Sequence, residues 1–198
     1  MDHLNETAAL ISLLNLSYFA FQIFSKKVEA TNTATWLMWV IIDLVLVGST
    51  YATGKSCLLA LSYTVGALIV LITHLMYGKW KWTKNETRSA IGATIASVIW
   101  QTISPDYGVI AGTLALTIAG LPLLFELKKD PSIHVVPMFA YTTLACALTL
   151  IASWPFTIGG SFLAAGGMAY NGYMCFLCLG VDEEENTARG HRIEEDSE

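Results

Sequence analysis

Seven apolar stretches, separated by short polar connections, make up most of this 198-residue chain. They run Thr7–Phe24, Thr35–Thr53, Cys57–Tyr77, Ser89–Ile103, Val109–Leu127, Val135–Ser153 and Phe156–Leu179. A helix needs about 20 apolar residues to cross the hydrocarbon core of a bilayer, and most of these segments reach or approach that length; the fourth is the shortest. Charged residues are 14% of the chain and hydrophobic ones 54%, where soluble domains carry about 25% charge. With no water in the bilayer to satisfy the backbone, such segments must be helices. The alternation of a membrane β-barrel is absent. The sequence therefore predicts an all-α integral membrane protein. It excludes a soluble domain, a disordered chain and a disulfide scaffold. A net charge of -5 and the lack of a basic stripe exclude a nucleic-acid partner.

Seven spans put the termini on opposite sides of the membrane. Of the 11 Lys and Arg residues, all but Lys55 fall on one side: Lys26, Lys27, Lys79, Lys81, Lys84, Arg88, Lys128, Lys129, Arg189 and Arg192. The positive-inside rule makes that side cytoplasmic, with the N-terminus outside and the C-terminus inside. Asp2 and Glu6 stand where a cleavable signal carries positive charge, so the first span is expected to remain as a helix. Residues 181–198 are acidic and polar, which predicts a disordered cytoplasmic tail after a membrane domain of 1–180.

The chain also resembles itself. Tyr18 to Lys27 and Gly120 to Lys129 each close a span on a Lys pair, and at the same spacing Trp36 and Trp39 fall opposite Met138 and Tyr141. Spans 1–3 and 5–7 then form two repeats, about 7–77 and 109–179, with a linker helix at about 89–103. Because three is odd, the linker must cross the membrane, and the halves are parallel repeats about an axis along the membrane normal. This 3+1+3 arrangement of two three-helix bundles resembles the superfamily of SWEET, PQ-loop and nicotinamide-riboside (Pnu-type) vitamin transporters, over about residues 7–180. Two segments carry the resemblance. Thr35-Trp36-Leu-Met-Trp39-Val-Ile-Ile-Asp43 is similar to the Trp-x-x-Trp-x-x-x-Asn segment of the riboside transporters. Leu121-Pro122-Leu-Leu-Phe-Glu-Leu-Lys-Lys-Asp130-Pro131 is similar to the end of a PQ-loop first helix. The Pro-Gln pair itself is replaced by Ala20-Phe21 and Pro122-Leu123, and Asp43 stands where the riboside family has Asn. The resemblance implies substrate contact by Asn171 in the last span and a hinge at Pro122.

Asp43 is the most informative residue. It lies about 12 Å into the second span at 1.5 Å per residue, near the midplane. An ionised carboxylate there costs about 2.5–3.5 kcal/mol on insertion scales. It either binds substrate or a coupling proton, or it is a neutral acid bonded to a neighbouring helix. Trp36, Trp39 and Asp43 share one helix face at i, i+3, i+7. Aromatic walls beside a polar group suit planar solutes and sugars, while Trp36 also lies near the interface where Trp anchors. Asn15, Tyr18 and Gln22 form a similar stripe on the first span, which either lines a solute path or bonds between helices. Thr94, Ser97 and Gln101 form a polar stripe expected to pack the fourth span against a repeat. Cys175-x-x-Cys178 lies in an apolar helix and reads as packing. No zinc, phosphate-loop, nucleophile-elbow or metalloprotease pattern occurs, so neither an enzyme nor a cofactor or metal is expected.

Together these features predict a small-solute transporter of the sugar, nucleoside, vitamin or amino-acid class, as a uniporter or coupled to protons through Asp43. Asp43, Trp39, Asn15, Tyr18, Gln22, Tyr141 and Asn171 are expected to line a midplane site between the repeats. The alternative is a receptor or adaptor on the same fold that transports nothing. The expected partners are a small solute and the bilayer. A channel would require a homo-oligomer, because one chain supplies one intramembrane Asp.

Overall fold

The computed structural model describes residues 2–27, 30, 32–129 and 136–195, with the side chains of 122, 125–129 and 180–195 set aside. Among the described residues seven helices overlap the predicted stretches: α1 (Asp2–Phe24), α2 (Thr33–Ala52), α3 (Leu58–Tyr77), α4 (Lys84–Thr102), α5 (Pro105–Lys129), α6 (Val136–Ala152) and α7 (Ile158–Glu195). Among the described residues four helices are long and apolar enough to cross a membrane: α1, α2, α3 and Ile158–Leu179 of α7. Pro105–Leu121 and Val136–Ala152 are shorter apolar helices. The chain is thus an all-helical protein of membrane-spanning character.

Local chemistry sets the helix ends. Asn32 caps α2, its side chain accepting from the Ala34 N–H at 3.1 Å. Thr83 and Glu86 form a reciprocal capping box at α4. Pro105 opens α5, where its missing N–H costs no helical bond. Lys26 ends α1 with φ 57°, and the bonds Lys27 N–H to Gln22 O and Lys26 N–H to Ile23 O close a Schellman turn. The acidic stretch after Gly180, expected as a disordered tail, continues as helix to Glu195. It contains no Pro, and its Glu, Ala and Arg residues are good helix formers.

The helices pack as α1 on α3, α3 on α2, α5 on α7 and α7 on α6, with α1 meeting α6 and α2 meeting α5. The α4 helix lies on α5 and α2. Its packing face consists of Ser89, Ala93 and Ala96, which permit close approach. The predicted stripe is not that face: Thr94 and Gln101 are exposed and Ser97 is half-buried. The core forms two clusters. One joins α1, α2 and α3 to α6 and α7 through residues such as Phe19, Trp36, Val70, Phe139 and Met174. The other joins α2 to α4 and α5 through Ile42, Leu46, Ala93, Val109 and Ala115. Trp39 packs against both.

At one end of the bundle the connections before α2 and after α3 are tied together. The Thr33 N–H donates to Lys79 O at 3.1 Å, and the Lys81 N–H to Asn32 Oδ1 at 3.1 Å. At the other end Ser153 Oγ donates to Gly160 O at 2.7 Å, joining α6 to the start of α7.

Candidate functional site

A cavity of about 90 Å³ lies where α1, α2 and α3 face α5, α6 and α7. From α2 it receives Trp36, Trp39 and Asp43; from α3, Tyr63 and Ala67; from α1, Leu16. The facing wall has Thr113 and Thr117 of α5, Phe139 and Thr142 of α6, and Tyr170 and Asn171 of α7. Gly166 and Gly167 of α7 also line it. A Cβ at Gly167 would lie 2.7 Å from Cys146 Sγ, so α7 can sit this close to α6 only with glycine there.

Asp43 is 4% exposed, and its Oδ1 has no hydrogen-bond partner among the described residues. The indole Nε1 of Trp39 is likewise buried and unpartnered. Both lie on the face predicted from their spacing. Trp36 is also buried in the core. Its ring lies 4.7 Å from Trp39, 5.9 Å from Phe19 and 5.4 Å from His74, centroid to centroid.

The other polar groups of the cavity hold their own scaffold. Tyr170 OH donates to Gly120 O at 2.8 Å, which ties α7 to α5. Asn171 Nδ2 donates to Gly167 O at 2.8 Å. Thr113, Thr117 and Thr142 each donate to the carbonyl four residues earlier, at 2.7–2.9 Å. Tyr63 OH and Cys146 Sγ are 2.9 Å apart. Among the described residues none that lines the cavity is basic, so the Asp43 carboxyl has no cationic neighbour among them. Among the described residues no group of three or more His, Cys, Asp or Glu could hold a metal.

Of the sequence-predicted site residues, the cavity brings together Asp43, Trp39 and Asn171. Asn15 is buried beside it but does not line it. Its Nδ2 donates to Met138 O at 2.7 Å and Thr142 Oγ1 at 3.0 Å, so it ties α1 to α6. Tyr18 and Tyr141 point outward, 52% and 53% exposed, and Gln22 is half-buried away from the cavity. The stripe of α1 divides because that helix packs on α3 and α6 with one face only, and Tyr18 falls beyond its edge. Tyr141 lies outside the α6 face formed by Met138, Phe139, Thr142 and Ala145. Pro122 falls within α5, and its side chain lies outside the described residues. Tyr63, Tyr170, Thr113, Thr117 and Thr142 were missed. The i, i+4 pair Thr113 and Thr117 was the available signal on α5. No family model matches the chain, and no curated protein or solved structure does either.

Proposed function

We propose that this protein is a small-solute membrane transporter of the 3+1+3 type, working by alternating access around the Asp43 cavity. The observation that carries this reading is a buried carboxyl group, its Oδ1 without a hydrogen-bond partner among the described residues, in a cavity between two sets of three helices. Two further observations support it. The packing order α1–α3–α2 is repeated as α5–α7–α6, and the cross-contacts α1–α6 and α2–α5 exchange under the same correspondence. This is what a two-fold relation between parallel repeats requires. Met138, Phe139 and Thr142 of α6 line the cavity as Trp36 and Trp39 of α2 do. For orientation, the basic connections around Lys79 and Lys81 are bonded to the start of α2 at one end of the bundle. The positive-inside rule makes that end cytoplasmic and puts the N-terminus outside.

The test needs no knowledge of the substrate. Thr117→Cys, in a chain whose four native cysteines are replaced by alanine, is exposed to a small charged methanethiosulfonate reagent from either side of sealed vesicles. Alternating access makes this cavity position reactive from both sides. Reaction from one side only, or from neither, would overturn it and leave a non-transporting receptor or adaptor.

A further inference from the structure

The hydrogen-bonding capacity left over in the cavity is mostly acceptor. The hydroxyl hydrogens of Tyr170, Thr113, Thr117 and Thr142 are spent on backbone carbonyls. On the donor side there remain the indole N–H of Trp39, the second amide hydrogen of Asn171 and one hydrogen of the Tyr63–Cys146 pair, in which either atom can donate to the other. On the acceptor side stand the Asp43 carboxyl, the lone pairs of the Thr113 and Thr117 hydroxyls and the one that Asn15 leaves on Thr142. Trp36, Trp39, Tyr63 and Phe139 add aromatic surface around that carboxyl.

We propose that the cavity binds a compact organic ammonium: a primary amine in its protonated form. The inference rests on reading the cavity as a solute site, and it names the class of solute. An ammonium offers three N–H donors to a site rich in acceptors, and its charge answers the single carboxylate. Aromatic faces attract a desolvated cation through the negative face of the ring. A carboxylate ligand, including the carboxylate end of an amino acid, would face Asp43 with no cationic side chain to hold it. Size sets the upper limit: about 90 Å³, where one water takes roughly 10–15 Å³ on the same measure, suits a solute of a few heavy atoms and not a hexose.

The experiment is a thermal-shift titration of the purified full-length chain with propylammonium, 1-propanol, propionate and glucose. The first three share one carbon frame and differ in charge. Propylammonium is expected to raise the melting temperature and the other three to leave it unchanged. Asp43→Asn is expected to raise the half-saturating concentration at least about tenfold. Equal stabilisation of Asp43→Asn by propylammonium would overturn the proposal. So would stabilisation of the wild-type chain by glucose or propionate with propylammonium silent; that outcome would leave the transporter reading standing with another solute class. Silence of all four compounds also overturns the ammonium proposal. The transporter reading then stands if Thr117→Cys is labelled from both sides and falls if it is not. The wild-type series decides the matter even if Asp43→Asn does not fold.

Discussion

Glu86 joins three segments through one carboxylate. Oε1 accepts from Asn32 Nδ2 at 2.8 Å and from Thr35 Oγ1 at 2.7 Å; Oε2 accepts from the Thr83 N–H at 2.7 Å and from the Thr83 hydroxyl. The side chain is 4% exposed. Burial alone would raise its pKa, but the hydrogen bonds from Thr83 and Thr35 outweigh that effect and hold it below the usual carboxylate range. The folded-state value is therefore depressed relative to the unfolded one. The stabilisation is complete above the unfolded value, ~4.3, and is lost as pH falls through the lower folded value. Glu86→Gln should destabilise the protein by about 1–3 kcal/mol at neutral pH. The gap between the two melting temperatures should close as the pH drops below about 4. A gap that stays constant on acidification would show that the charge contributes nothing there.

Helix contacts in this fold depend on residues that lack a side chain. A Cβ at Gly66 of α3 would lie 2.7 Å from Leu16 Cβ on α1. That atom is fixed to the α1 backbone, so the two helices would have to separate. Gly66→Ala should cost about 1–3 kcal/mol of stability, read as a lower melting temperature. Because Leu16 also lines the cavity, the substitution should weaken ligand binding as well. Gly172 of α7 is the matched control. A Cβ there meets nothing closer than Thr143 at 3.7 Å, an ordinary contact. Gly172→Ala should be neutral or stabilising, by up to about 1 kcal/mol from helix propensity. If the two substitutions destabilise equally, close approach at Gly66 is not what holds α1 on α3.

At the scale of the molecule, the proposed topology predicts the sidedness of every connection. Fused reporters active only in the cytoplasm should be active after Lys27, after Lys81 and at the C-terminus. They should be silent after Gly54 and after Ser104. Activity at Ser104 would mean that α4 does not cross, and the seven-span reading would fail. Among the described helices α4 is neither a long apolar candidate nor a shorter one. Its exposed face nonetheless has Ile91, Ile95 and Val98.

The number of helices, most of their ends to within about five residues (the far end of α7 excepted), the basic character of one set of connections and the shared face of Trp39 and Asp43 were legible in the chain alone. These depend on local quantities: the length of an apolar run, a capping side chain, a spacing along one helix. Which face of each helix turns inward was decided only by the tertiary structure. Asn15 became a tie to α6, Tyr18 and Tyr141 turned outward, and Tyr63, Tyr170 and Thr117 came to the cavity. The reason is physical. In a soluble protein a polar stripe marks the outside, whereas in a bilayer the lipid-facing and core-facing sides of a helix are both apolar. Apolar patterning then cannot tell one side from the other. Small residues such as Gly66 and Gly167, and the carbonyls that side chains reach across to, make that choice when the helices meet.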